Sequence, residues 1–178
     1  NDESWGDHAG IYIVNADGSN ERALHVGVSQ PLAPRWSPDG TQIAFTRQSG
    51  GTSADSVFCF GRICFTAAAD PHWKLGVVNV STGALTEPRS SNHSFSPTWK
   101  NDNVTLAYAD ATFGILITNI TGDPEWNIYK QNPAVQSTAY SPDGKKIAFT
   151  VRQHDHWEVN VLDLDNGAVI PVTRANPL

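Results

Sequence analysis

The stretch Trp36-Ser37-Pro38-Asp39-Gly40-Thr41-Gln42-Ile43-Ala44-Phe45 returns, position for position, as Tyr140-Ser141-Pro142-Asp143-Gly144-Lys145-Lys146-Ile147-Ala148-Phe149. A degraded third copy runs from Trp99 through Asn101-Asp102-Asn103 to Leu106-Ala107-Tyr108. The last two copies are 41 residues apart, and the first two are 63 apart, which is one period plus an insertion of roughly 22 residues. A period near 40, built from short strands and tight turns, is typical of the blades of a β-propeller.

Turn chemistry gives the order of strands within each repeat. Ser-Pro-Asp-Gly joins two antiparallel strands, because Pro presets φ and Gly accepts a positive φ. The strand after it carries a small alanine between larger apolar residues, which lets neighbouring blades approach closely. A further strand then ends in an Asn or Asp turn closed by glycine, at 15–18, 79–83, 119–122 and 163–167. In the third copy, Lys100-Asn101-Asp102-Asn103 lacks both Pro and Gly, so its turn type stays open.

The repeats predict one all-β unit over residues 1–178, a β-propeller of four-stranded antiparallel blades. A half-blade at 11–24 precedes three fuller blades at about 33–90, 95–131 and 136–175, and the insertion lies at 48–72. Propellers have about four to eight blades, and the half-blade has no partner strands in this chain. We therefore expect the chain to be part of a larger propeller, or to receive the missing strands from another chain.

The composition narrows the class of partner. Charged residues make up 17% of the chain, aromatic residues 10%, and the net charge is −6. An acidic chain without a cluster of Lys and Arg argues against nucleic acid or an anionic membrane as the partner. No apolar stretch has the length of a transmembrane helix. We expect a protein partner, or further propeller strands.

The string Ile11-Tyr12-Ile13-Val14-Asn15-Ala16-Asp17-Gly18-Ser19, with 34–40 and 43–45 after it, resembles the TolB-type propeller repeat. The repeat is also similar to the propeller domains of prolyl-oligopeptidase-like peptidases. The resemblance implies the fold, but such blades serve receptors, scaffolds and enzyme lids alike. The leading hypothesis is a non-enzymatic, extracytoplasmic binding or assembly module. The alternative is the propeller part of a larger hydrolase or lyase, which gates access to substrate.

Two observations bear on these alternatives. The sequence contains no Gly-x-Ser-x-Gly and no His-Glu-x-x-His, so we expect no enzymatic activity from this chain itself. The insertion carries more apolar surface than a solvent loop needs. We expect partner contacts on its face, and the candidate binding residues are Phe58, Phe60, Arg62 and Phe65.

The only two cysteines, Cys59 and Cys64, both lie in the insertion. Their spacing favours a small disulfide-closed loop over two free thiols, and a zinc site has no second cysteine pair to support it. A disulfide would place the protein outside the reducing cytosol, in an extracellular or periplasmic setting.

Two His-Trp pairs, His72-Trp73 and His156-Trp157, align when the turn glycines are superposed. They either mark a binding rim or simply pack over the neighbouring strand. His154, with Asp155 and His156, is the most metal-like local cluster, although a solvated loop explains it as well. We expect no cofactor. The turn acids Asp17, Asp163 and Asp165 would suit calcium, but turn capping accounts for them more simply.

Four Asn-x-Ser/Thr sequons fall at predicted turns or loops, where a glycan could attach. Two of them coincide with the repeating Asn turn and would occur with or without glycans. The candidate acceptors are Asn79, Asn92, Asn103 and Asn119.

Overall fold

The computed structural model describes residues 9–28, 30–52, 57–60, 63–66, 70–122, 125–130, 135–153 and 156–173. These residues form β-strands joined by turns. A two-stranded sheet, β1 (Gly10–Ile13) and β2 (Arg22–Val26), comes first. In the next sheet β3 (Leu32–Trp36) pairs with β4 (Gln42–Thr52), then come β7 (Asp70–Asn79) and β8 (Leu85–Thr86). The hairpin of β5 (Val57–Phe60) and β6 (Ile63–Thr66) lies between β4 and β7 in the chain.

Two further four-stranded sheets follow the same antiparallel order. One contains β9 (Ser94–Trp99), β10 (Thr105–Asp110), β11 (Gly114–Asn119) and β12 (Trp126–Tyr129). The other contains β13 (Val135–Tyr140), β14 (Lys146–Gln153), β15 (His156–Asp163) and β16 (Val169–Pro171). The first strands β3, β9 and β13 lie beside one another and form the inner rim. The predicted architecture of about three and a half propeller blades is confirmed. No helix among the described residues is long and apolar enough to cross a membrane.

The turn after each first strand is the same in all three blades, including the degraded copy. Gly40 and Gly144 both have φ +71°, and Asn103 takes the equivalent position at φ +61°. Asparagine tolerates this left-handed conformation better than most non-glycine residues. The amides of Gly40, Gly144 and Asn103 all donate to the carbonyl three residues earlier. Lys100-Asn101-Asp102-Asn103 therefore reproduces the Ser-Pro-Asp-Gly turn without its proline or glycine.

Apolar packing between successive sheets forms the core. The aromatic residues of the repeat, Phe45, Tyr108 and Phe149, are all buried, with exposed fractions of 0–1%. Ala44 and Ala107 are fully buried in two successive clusters between sheets, where their small side chains allow close approach. A third cluster joins the half-blade to the first full blade through Ile11, Leu24, Val28, Ile43, Phe45 and Val78.

Hydrogen bonds also link neighbouring blades at the inner rim. The Trp99 indole donates to the Arg35 carbonyl at 3.0 Å, and the Thr138 hydroxyl donates to the Ser96 carbonyl at 2.7 Å. At the turns, the Asn103 Oδ1 atom accepts from the Asp39 amide at 3.0 Å. The same asparagine thus supplies both the turn conformation and a bond to the preceding blade.

The half-blade leaves one edge of β1 without a strand beside it among the described residues. Its sheet has only the order β1-β2. A groove of about 490 Å³ runs along β1 and is lined on its other side by Pro31, Pro34, Trp36 and Ile43. Trp36 and Val14 are about half exposed there, at 54% and 55%. An edge of this kind presents N–H and C=O groups that can pair with a further strand.

Glycine at position 76 is required by the size of the aromatic ring opposite it. Gly76 pairs with Phe45 across β4 and β7, and a Cβ atom at position 76 would lie 2.7 Å from the Phe45 Cζ atom. Because the ring is fully buried, it cannot move aside into solvent. We expect Gly76→Ala to lower the free energy of unfolding by about 1–3 kcal/mol, the usual cost of overpacking a core.

Urea unfolding of a double-mutant cycle with Phe45→Leu would measure this effect. The smaller leucine leaves room for the new methyl group, so Gly76→Ala should cost less in the Phe45→Leu background than alone. Strictly additive costs would contradict the proposed clash.

A second prediction concerns the carboxyl that caps the first turn. The Ser37 hydroxyl donates to Asp39 Oδ1 at 2.6 Å and lowers the pKa of that carboxyl, and the Thr41 amide and hydroxyl add to the effect. A carboxyl whose pKa is lower in the folded than in the unfolded chain stabilises the fold above its ordinary pKa of 3.8. This stabilisation is lost as pH falls through the folded value.

We therefore expect Ser37→Ala to lower the free energy of unfolding more at pH 7 than at pH 2. Some loss should persist at pH 2, because the Gln42 amide also donates to the Ser37 hydroxyl at 3.0 Å. Denaturant unfolding at both pH values tests this. Ser141→Ala serves as the matched variant, since Ser141 makes the same bond to Asp143. Equal losses at both pH values would rule out the carboxyl as the source.

Candidate functional site

The connections of the propeller divide it into two faces. On the face that we call the insertion face, the chain passes from β4 to β7 through the insertion, and each blade leads into the next. On the opposite face lie the Ser-Pro-Asp-Gly turns and the Asn or Asp turns. The first residues of β3, β9, β13 and β15 therefore reach the insertion face. Loops positioned by a rigid propeller are common sites of binding.

An apolar groove opens on the insertion face where the inner strands begin, and we call it the axial mouth. Its volume is about 390 Å³. Leu32 and Trp157 are its most exposed apolar side chains, at 46% and 47%. The full lining is Leu32, Ala33, Thr46, Phe95, Ser96, Ala111, Val135, Gln136 and Trp157.

The structure separates the two aligned His-Trp pairs. The Trp73 ring packs against Phe95 with ring centroids 5.6 Å apart, and His72 lies near Gly50. Trp157 instead lines the axial mouth, while the His156 Nε2 atom lies 3.2 Å from Glu158 Oε1. Trp73 thus packs against a neighbouring strand, whereas Trp157 is exposed enough to contact a binding partner. His154 and Arg62 lie outside the described residues.

The insertion contains the two-stranded hairpin β5–β6. Its backbone register pairs Phe58 with Phe65, Cys59 with Cys64 and Phe60 with Ile63. The two cysteines therefore occupy directly opposite positions in a hairpin. The disulfide stays a prediction, as do the contacts of the insertion phenylalanines with a partner.

The turn acids are already engaged within their own turns. Asp17 Oδ1 accepts from the amide and the hydroxyl of Ser19 at 2.9 and 2.7 Å. Asp163 Oδ2 lies 2.8 Å from Lys146 Nζ, and its Oδ1 accepts from the Asp165 amide at 3.0 Å. These hydrogen bonds lower the pKa of both the Asp17 and the Asp163 carboxyl. Within the described ranges, no three His, Cys, Asp or Glu side chains are grouped so that they could hold a metal ion.

Three of the four sequon asparagines take part in turn structure. Asn79 and Asn119 each accept, through Oδ1, from the backbone and hydroxyl of the Ser or Thr two residues later. Asn103 forms the bond between blades described above. Asn92 differs, because it is exposed in the connection between two blades. Glycosylation stays a prediction at all four sites.

Sequence reasoning missed most of the axial mouth. Leu32, Phe95 and Val135 all stand at or next to the first residue of an inner strand. The signal was available in the register of the repeat, since each is an apolar residue just before a predicted strand. Their convergence depends on how the blades pack, which the sequence pattern does not specify.

Comparison with known proteins agrees with this architecture, although no family model matches the chain. Two TolB homologues, from Chlorobium luteolum and Chlorobium chlorochromatii, are each 26% identical to it over 160 and 141 residues. These matches cover 88% and 78% of the chain. The chain spans only about a third of the length of these relatives, 32% and 28%.

Solved structures share the fold at lower identity. TolB from Acinetobacter baumannii superposes with a TM-score of 0.67 at 19% identity, over 93% of this chain and 37% of that one. An oligogalacturonate lyase in complex with manganese gives a TM-score of 0.63 at 12% identity, over 94% and 48%. A nidogen/laminin complex gives 0.69 at 9% identity, over 96% and 60%. With its repeats, its sheets and these relatives, the chain is a TolB-like β-propeller of three full blades and a half-blade.

Proposed function

We propose that this chain is a non-enzymatic binding or assembly module that acts outside the cytoplasm and holds a protein partner on its insertion face. The axial mouth carries the proposal. Leu32 and Trp157 are each nearly half exposed, and both line one apolar groove where the inner strands begin. A contiguous apolar surface of this kind usually marks an interaction site.

The chemistry of the mouth fits an apolar segment of a partner protein. Tryptophan is enriched among the residues that dominate binding energy at interfaces, particularly where it lies in a pocket. Burial of a large apolar side chain is worth roughly 1.5–3 kcal/mol, so two or three such contacts would support specific binding. The candidate residues of the insertion, Phe58, Phe60, Arg62 and Phe65, belong to a segment that enters and leaves on the same face, and we propose that they extend this surface.

Two further observations support the assembly and location parts of the proposal. Among the described residues no strand lies on the other side of β1 from β2, and further propeller strands from the same polypeptide or from a second chain would pair there. Slower amide exchange at Ile11–Ile13 in a larger particle than in this chain would support such pairing.

Cys59 and Cys64 are opposite in their hairpin, and a disulfide there would persist in a periplasmic or extracellular compartment.

The alternative, that the propeller gates access to a hydrolase or lyase site, draws support from the shared fold of an oligogalacturonate lyase. At 12% identity that likeness concerns the fold alone. An active site in a longer form of the polypeptide, together with faster turnover of small than of large substrates, would favour this alternative over the binding module.

A photo-crosslinking experiment tests the binding proposal. A benzoyl-phenylalanine placed at position 157 should form a discrete adduct with a partner from the source organism's extracytoplasmic extract. The same probe at position 126 is the matched control, because Trp126 is as exposed, at 50%, but lies in the outer strand β12. We expect excess unmodified chain to compete for the adduct, and the Trp157→Ala variant to compete at least 10-fold less well.

Equal adducts at positions 157 and 126 would contradict the proposal, because they would show that any exposed aromatic position captures protein. Equal competition by unmodified chain and by Trp157→Ala would contradict it as well, since the axial mouth would then contribute nothing to the complex.

A further inference from the structure

A second cavity, larger than the axial mouth and sharing no lining residue with it, lies between the first and second full blades. We call it the interblade cleft, and its volume is about 740 Å³. One wall is the connection from β8 to β9, and the other comes from β11, β12 and the turn before β11. Its lining consists of Arg89, Ser91, Asn92, His93, Thr112, Phe113, Leu116, Glu125, Asn127 and Lys130.

The wall formed by residues 89–93 is held in place by bonds to both blades. The Thr118 hydroxyl donates to the Arg89 carbonyl at 2.7 Å, and the Trp73 amide donates to the Asn92 carbonyl at 2.7 Å. Lys74 Nζ donates to the Ser90 carbonyl at 2.8 Å. The Ser91 hydroxyl is bonded to the fully buried Asp110 carboxylate. A connection anchored in this way is preorganised, so little ordering would accompany binding.

Positive charge prevails in the cleft, although the chain as a whole is acidic. The Arg89 and Lys130 side chains line it and are exposed. Neither side chain has a hydrogen bond or salt bridge among the described residues, although the positive charge of Arg89 is close enough to Glu125 to act on the pKa of that carboxyl. Among the described lining residues the acid is Glu125, which accepts a hydrogen bond from the Tyr108 hydroxyl. Burial raises the pKa of its carboxyl, and the positive charges of Arg89 and Lys74 offset part of that rise. Exposed arginine and lysine side chains are groups that bind a carboxylate of a ligand.

The remaining lining offers hydroxyl and amide groups beside one exposed ring. The Asn92 amide and the Thr112 hydroxyl can each donate or accept, whereas the Ser91 hydroxyl is already bonded to Asp110 and to the His93 amide. The Asn127 Nδ2 atom donates to the Phe113 carbonyl, which ties the turn before β11 to β12. The Phe113 side chain is 54% exposed at the cleft.

We propose that the interblade cleft binds an acidic saccharide, with a sugar carboxylate held by Arg89 and Lys130 and ring hydroxyls held by Asn92 and Thr112. The exposed Phe113 ring covers the apolar C–H face of the sugar. A volume of about 740 Å³ accommodates two or three sugar units, within the usual range of ligand pockets.

Isothermal titration of the bacterially produced chain, which carries no glycan at Asn92, tests the proposal. The probe is a β-1,4-linked glucuronate trisaccharide, and the corresponding glucose trisaccharide is its uncharged match. We expect the glucuronate to bind, the glucose to bind at least about 10-fold more weakly, and affinity for the glucuronate to fall with salt. Arg89→Gln and Lys130→Gln should each reduce glucuronate affinity about 10-fold or more, and Phe113→Ala should weaken both saccharides.

Arg152→Gln is the charge-matched control, because Arg152 is exposed on β14 and does not line the cleft. This variant should bind as the unaltered chain does, and Trp157→Ala should too, since the axial mouth is separate. No binding of the glucuronate, equal binding of the two saccharides, or an equal loss in Arg152→Gln would each overturn the proposal. Tighter binding of a peptide with a free C-terminal carboxylate, abolished by amidation, would overturn it in favour of a peptide terminus.

Discussion

The fold depends on how closely the second strands of successive blades pack against their neighbours. A propeller blade buries one face against the preceding blade and the other against the next, so the same strand needs large residues on one side and small ones on the other. Phe45 and Ala44 are adjacent in β4 and fully buried, yet they belong to different clusters between sheets. The repeated Ile-Ala-Phe sequence meets this requirement, because it places a small alanine on one face of the strand and larger side chains on the other. The same need for a small residue extends to the neighbouring strand β7, where the Phe45 ring occupies the space that a side chain at position 76 would need.

Hydrogen bonds fix the positions that apolar packing leaves free to slide. Apolar contact is not directional, whereas the bonds from Trp99 to Arg35 and from Asp39 to Asn103 specify one register between blades. The consequence for function is that the loops on the insertion face are held by a rigid frame. The axial mouth and the interblade cleft both lie where two or more blades meet, so their shapes follow from this register.

The fold could be predicted from the sequence because it consists of repeated blades, so the strands and turns assigned in one copy could be compared with those in the others. The turn at Lys100–Asn103 shows the limit of reading single residues, since the expected glycine is replaced by an asparagine that adopts the same φ region. The sites were harder to predict. Trp73 and Trp157 align in the repeat, but one packs against Phe95 and the other is exposed, because their neighbours on adjacent blades differ. The interblade cleft draws on residues from 89 to 130, and no local spacing brings them together.

The axial mouth and the interblade cleft differ in chemistry because they are lined by positions that vary between the repeats. Positions inside the blades are restricted to a few residue types, because they are buried against two neighbours at once. Positions on the insertion face have no such restriction, and here they diverge: Leu32 and Trp157 make the axial mouth apolar, while Arg89 and Lys130 make the interblade cleft basic. The chain has a net charge of −6, yet two exposed cations line this one cleft. Neither side chain makes a salt bridge among the described residues, so both can reach an anion in the cleft, while Arg89 also attracts the Glu125 carboxylate.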